Sequence, residues 1–143
     1  MNYPKHNSWN SWLSPQGGKM KNILIVDDDK FICSMIERGL KIHAKGFNVL
    51  RAENGKQAME ILRLLQVDIL LTDLHMPEID GYDLLAYATK EMPSIEAFAM
   101  TGDYNQNVRN RLSLLGVHQC FEKPLDLKEV ASTITSQPEN IKT

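Results

Sequence analysis

From Lys21 onward the chain alternates short apolar runs with longer amphipathic stretches. The apolar runs fall at residues 22–26, 47–52, 68–72, 95–100 and 117–121. Between them Ile32, Ile36 and Leu40 recur at a spacing of four, as do Ala58 and Leu62 with Ile61 and Leu65 beside them, which is helical spacing. Fainter helical patterns cover 82–91, 105–115 and 126–135. The pattern therefore predicts (βα)5. Ile23, Leu24, Ile25 and Val26, like Ile69, Leu70 and Leu71, are apolar without alternation, so both faces of these strands need cover. Helices on either side of a parallel sheet supply it, and right-handed crossovers then predict a doubly wound α/β fold.

Composition narrows the class. The 143 residues are 43% hydrophobic and 24% charged, which suits one globular domain whose core forms without disulfides or a structural metal. A formal charge of −2 gives no global basic field, so neither direct nucleic-acid binding nor membrane-surface binding is expected. No stretch has the roughly 20 apolar residues of a membrane helix, and the N-terminus lacks a secretory signal, so a cytoplasmic location is expected. Cys33 and Cys120 are read as reduced core thiols. Residues 1–19, with Pro4, Pro15, Gly17, Gly18 and two Trp, carry neither periodicity. They are expected to be a disordered extension or an artefact of expression or start site, with the folded domain at 20–136 and a flexible tail at 137–143.

In doubly wound sheets, ligands bind beyond the carboxyl ends of the strands. Those ends carry Asp27, Asp28 and Asp29 after the first strand, Asp73 after the third, Thr101 after the fourth, and Lys123 with Pro124 after the fifth. In the strand order 2-1-3-4-5 they would converge. Three carboxylates at one strand end repel one another unless a cation offsets them, which points to a Mg²⁺ cradle. Asp29 also suits a helix cap, and by itself the triplet fits either reading. Pro77 and Gly81 after Asp73 predict a sharp turn that leaves its carboxylate at the strand tip. Beside a metal, Asp73 is a candidate nucleophile for a phosphoryl group, with the Thr101 hydroxyl and the Lys123 ammonium holding its oxygens.

Taken together, Ile23 to Asp29, Asp73 to Gly81, Met100-Thr101-Gly102 and Glu122-Lys123-Pro124 resemble the response-regulator receiver family of two-component signalling, over about residues 21–135. The resemblance implies a flavodoxin-like five-stranded parallel sheet in the order 2-1-3-4-5. It implies phosphorylation of Asp73 by a sensor histidine kinase, a histidine phosphotransfer protein or a small phosphodonor. Mg²⁺ would be held directly by Asp28 and Asp73, through water by Asp27, and by the backbone carbonyl of His75. A cis peptide between Lys123 and Pro124 would aim the lysine inward. Such a domain is a monomer or weak homodimer that catalyses only its own phosphorylation and dephosphorylation, and it signals to a downstream protein target.

Two departures stand out. Three residues before Lys123 the family carries an aromatic that rotates on activation, whereas this chain has Cys120. Phe121 next to it should point to the opposite face, so coupling is expected to be weaker or to use other residues such as Tyr104. In the family the positions of His75 and Asp103 flank the approach of the hydrolytic water, and opposite charges there are expected to lengthen the life of the phosphoryl group. Three rival readings compete with this one. A dehalogenase-like phosphatase needs an acid two residues after the nucleophile, where His75 stands; an FMN carrier needs a neutral phosphate loop where this one is anionic; a constitutive docking receiver is suggested by Cys120. The output is read two ways, as a stand-alone domain or as a fragment of a larger regulator.

Overall fold

The computed structural model describes residues 20–136; the extensions expected at 1–19 and 137–143 lie outside them. Ten elements alternate along this range: β1 (Lys21–Val26), α1 (Lys30–His43), β2 (Phe47–Ala52), α2 (Gly55–Leu64), β3 (Ile69–Asp73), α3 (Gly81–Glu91), β4 (Glu96–Thr101), α4 (Gln106–Leu114), β5 (Cys120–Glu122) and α5 (Leu127–Thr135). Every neighbouring pair of strands is parallel, in the order β2-β1-β3-β4-β5. This is the expected doubly wound arrangement.

The unbroken apolar strands divide their side chains between two cores because successive residues face opposite sides. Ile23, Ile25, Leu71, Phe98, Met100 and Phe121 pack under α1 and α5. Leu24, Val26, Leu70 and Ala99 pack under α2, α3 and α4. β3 is buried at every position, as the middle strand of five must be. No helix among the described residues is long and apolar enough to cross a membrane.

All five helices start on an Asp or Asn whose side chain accepts a backbone N–H of the first turn: Asp29, Asn54, Asp80, Asn105 and Asp126. Each satisfies a donor that the helix itself leaves unpaired. Because helices follow strands, all five caps stand on the rim that also carries the candidate chemistry.

The last strand differs from expectation. Val117 is buried, but its N–H bonds to the Leu112 carbonyl at 2.9 Å while that of Gly116 bonds to Ser113 at 3.0 Å, with Gly116 at φ 79°. That is a Schellman exit from α4, so the apolar signal at 117 belongs to a helix end and β5 begins at Cys120. β4 likewise starts one residue later than its apolar run, since the N–H of Ile95 turns back to Met92. Both cysteines are free thiols; Cys33 is buried as expected, but Cys120 is only partly covered.

Candidate functional site

β1 delivers three consecutive aspartates with three different fates. Asp27 is 1% exposed, and its carboxylate accepts the N–H of Asp29 at 2.9 Å. Asp28 is exposed. Asp29 caps α1 by accepting the Phe31 N–H at 2.9 Å. Of the triplet, Asp29 is spent on the helix, as the cap reading expects, while Asp27 and Asp28 join Asp73. One carboxylate oxygen from each of these three lies within 4.8 Å of the others.

Lys123 closes the cluster from β5. Its Nζ lies 2.8 Å from Asp27 Oδ2 and 3.2 Å from Asp73 Oδ1. The Lys123–Pro124 peptide is cis, and the Lys123 N–H donates to the Thr101 carbonyl at 2.8 Å. The Thr101 side chain is fully buried; its hydroxyl accepts the Asp103 N–H at 3.1 Å and makes no hydrogen bond to Asp73. His75 is exposed, and its carbonyl oxygen accepts no hydrogen bond among the described residues.

The charges do not balance. Burial pushes the Asp27 carboxyl above the usual carboxylate range. The hydrogen bonds from Lys123 and from the Asp29 N–H oppose that rise, and the Asp73 charge adds to it. Burial also works against the Lys123 ammonium, but its hydrogen bond to Asp27 and the charges of Asp27 and Asp73 outweigh burial and raise its pKa. Two covered carboxylates with a third beside them thus face a single ammonium among the described residues. Hard cations take such oxygen sets, so these residues fit a divalent metal ion.

The loop after Asp73 is held differently from the expected Pro77–Gly81 turn. The left-handed residue is Glu78, at φ 65°, and Gly81 is already the first residue of α3. What Gly81 provides is clearance: a Cβ there would overlap the Asp73 carbonyl oxygen and stand 2.7 Å from Leu74 Cα. The Gly81 N–H donates to the Leu74 carbonyl at 3.1 Å, and the Leu74 N–H donates to that of Met100 at 3.1 Å. The backbone beside the Asp73 carboxylate is thus fixed from two sides. Sequence reasoning missed this role, for which the only local signal was the Asp80-Gly81 pair before a helix.

On β5, Phe121 packs against Phe98 with ring centroids 6.0 Å apart, under α1 and α5. Cys120 faces the opposite core, where α4 lies. Burial, reinforced by Glu122, pushes its thiol up to about 11. The aromatic absent at position 120 is therefore not replaced by its neighbour.

A family model described as the response regulator receiver domain matches residues 23–135. Among curated proteins, the chain is 30% identical over 108 residues to the "Transcriptional regulatory protein GlrR" of Escherichia coli (strain K12), covering 76% of this chain and 24% of that protein. It is 31% identical over 116 residues to the "Sensor protein EvgS" of the same strain, covering 81% and 9% respectively. The chain thus spans about a quarter, or less, of these relatives. Of solved structures, the signal receiver domain of a DNA binding response regulator protein from Colwellia psychrerythraea 34H superposes with a TM-score of 0.74 at 28% identity, covering 80% of this chain and 95% of that one. A CheY-like response regulator receiver domain protein from Methanospirillum hungatei JF-1 gives 0.77 at 24% identity, over 83% and 94%. At that identity the second likeness speaks for the fold.

Proposed function

This chain belongs to the response-regulator receiver family, and from that premise we propose that it takes a phosphoryl group onto the Asp73 carboxylate from a sensor histidine kinase or a histidine phosphotransfer protein. It is a signalling domain. It turns over no external substrate and passes its state to a downstream protein by contact, in the cytoplasm.

The observation that carries the proposal is the surplus of negative charge around Asp73: three carboxylates with oxygens within 4.8 Å and one ammonium shared by two of them. A nucleophilic carboxylate needs its charge offset before an anionic phosphoryl group can approach. Asp28 and Asp73 would hold Mg²⁺ directly, Asp27 through water, and the His75 carbonyl would complete the protein ligands. When bound, the ion supplies positive charge to the phosphoryl oxygens. Lys123 orients a phosphoryl oxygen as a point charge, and the Thr101 hydroxyl, now occupied by the Asp103 N–H, supports another after a small shift. The Asp73 oxygen attacks phosphorus while the bond to the donor nitrogen breaks, leaving the donor imidazole to take a proton.

Incubation with acetyl phosphate and MgCl₂ tests the proposal. Mass spectrometry should show one phosphoryl addition, located on Asp73 and lost in Asp73→Asn or in EDTA. Absence of label in the folded wild type would sink it. It would favour the second reading, a receiver that docks constitutively, which Cys120 in the aromatic position supports because such a module needs no rotating ring.

A further inference from the structure

We infer that the groove between the C-terminal end of α1 and the edge strand β2 is a docking site for this chain's own N-terminal segment, which seats the Trp12 indole, with Leu13 beside it, over Phe47 and Val49. The missing periodicity of residues 1–19 predicts a disordered extension; the groove gives that extension a place to bind. The inference is independent of the proposed function, because the groove lies at the opposite end of the sheet from Asp73.

The groove measures about 390 Å³. Leu40, Ala44, Phe47 and Val49 line it with apolar surface continuous with the core under α1 and α5, and the exposed Lys41 and Lys45 bound it. It falls inside the roughly 300–1,000 Å³ of clefts that hold organic ligands. At about 30 Å³ per water it equals roughly a dozen waters, space for an indole and a leucine side chain. A Cβ on Gly46, at the mouth, would meet no atom within 4 Å, so the described residues leave the groove open.

The path of the chain says what covers it. The Lys21 N–H donates to the Gly46 carbonyl at 2.8 Å, and Lys21 pairs with Phe47 where β1 and β2 begin. The segment before Lys21 therefore departs from the mouth of the groove. Residues 13–20 separate Trp12 from Lys21 and span about 26 Å when extended, ample for a return over a few ångströms. Pro15, Gly17 and Gly18 among them suit a reversal. So short a tether holds the segment at about millimolar effective concentration. A contact whose Kd is about 0.1 mM for a free peptide would then be roughly 90% occupied, and an outside partner would have to displace it.

The segment's composition matches the groove. Both tryptophans of the chain, Trp9 and Trp12, lie in it, and tryptophan is mostly covered in folded proteins. Trp12 has Leu13 next to it and closes the shorter loop. Residues 7–18 carry no charged side chain, so Lys41 and Lys45 repel nothing in them. Lys41 is paired with Glu37 at 3.2 Å. Lys45 has no ion pair or hydrogen bond among the described residues, which leaves its ammonium for the face of an indole. Docked there, the segment also shields the start of β2, the outer strand of the sheet, where an open edge invites pairing with another chain.

Tryptophan fluorescence of the full chain reports on this segment alone. In Trp9→Phe, Trp12 is the sole emitter. Its emission should lie to the blue of the urea-unfolded protein, and acrylamide should quench it roughly fivefold less, as high occupancy of a mostly covered indole implies. In Trp12→Phe, Trp9 should quench nearly as freely as in urea. Adding Val49→Asp to Trp9→Phe should restore free quenching with unchanged far-UV circular dichroism. A second measurement needs no change in the groove: in the wild type, Trp12 indole protons should show NOEs to the Val49 methyls. Free quenching of Trp12 in the folded protein would overturn the inference and leave the groove to an outside partner. Protection that disappears on dilution, together with a dimer in sedimentation, would overturn it in favour of a second copy's segment. NOEs to Val49 from Trp9 in place of Trp12 would overturn the assignment of the indole.

Discussion

Asp27 is 1% exposed and sits between one ammonium and another carboxylate; burial and the Asp73 charge both disfavour its ionised form in the metal-free fold. Two unit charges 4 Å apart cost about 4 kcal/mol at an effective dielectric of 20. An amide in place of that carboxylate also weakens the hydrogen bond to Lys123 and keeps an acceptor for the Asp29 N–H. Asp27→Asn is therefore expected to stabilise the protein in EDTA by roughly 1–2 kcal/mol. Urea midpoints at constant m-value measure it, and a lower midpoint than wild type would refute it. Gly81 makes the opposite kind of prediction. Both groups that its added Cβ would strike are backbone, so neither can rotate away and the loop after Asp73 must move. Gly81→Ala should cost about 1–3 kcal/mol, as overpacking does, and should also slow labelling of Asp73. A labelling rate equal to wild type would show that the displaced backbone does not reach the carboxylate. The role of Gly81 was hidden in the sequence for a physical reason. Glycine after aspartate signals a turn as readily as a close approach, while nothing about Glu78 foretells a left-handed backbone.

At the scale of elements, the helices are unequal. α3 buries Gly81, Tyr82, Leu84, Leu85 and Ala88, whereas α4 buries only Val108 and Leu112. Local stability follows buried apolar contact, so α4 should open more readily than the other helices. Hydrogen exchange should show its amides exchanging faster than those of α1 and α3. Asn105→Ala, which removes the cap accepting the Val108 N–H at 3.0 Å, should cost about 1 kcal/mol and speed exchange in α4 without altering α3. Slower exchange in α4 than in α3 would contradict this account. The same thinness explains what the hydrophobic pattern conveyed. Helices that bury a full stripe, such as Ile36 and Leu40 of α1, announced themselves by spacing. α4 and β5 sit where that pattern is sparse, and Val117 was counted with a strand because its burial serves a helix exit. Cys120 was legible as a departure, since facing alternates reliably along a strand, but the groove between α1 and β2 was not. That groove requires α1 and β2 to meet, and no periodicity within either segment encodes the meeting.

At the scale of the molecule, one sheet separates two cores and gathers its polar residues at one rim, where apolar packing stabilises what the rim opposes. The strand-end residues Asp27, Asp28, Asp73, Thr101 and Lys123 could be read from sequence because each follows an apolar run. Their convergence could not be read from periodicity, since strand order is a property of the assembled sheet and came from resemblance. If the proposed Mg²⁺ site holds, the charge surplus at that rim should tie global stability to metal. A ligand that binds only the folded state stabilises it by about 2.7 kcal/mol at a hundredfold excess over its Kd, so Mg²⁺ should raise the melting temperature of the whole domain. Two substitutions separate this linkage from nonspecific salt effects. Asp27→Asn relieves repulsion and removes part of the cradle, so its metal-free form should melt higher and gain less from Mg²⁺. Lys123→Met removes the one counter-ion that Asp27 and Asp73 share among the described residues. Its metal-free form should lose an amount between the roughly 1 kcal/mol of an exposed ion pair and the 3–5 kcal/mol of a fully buried one, and should regain more on adding Mg²⁺ than wild type does. Differential scanning calorimetry in EDTA and in MgCl₂ measures all four quantities at fixed ionic strength. If both variants respond to Mg²⁺ as wild type does, the carboxylate surplus is not what the ion answers.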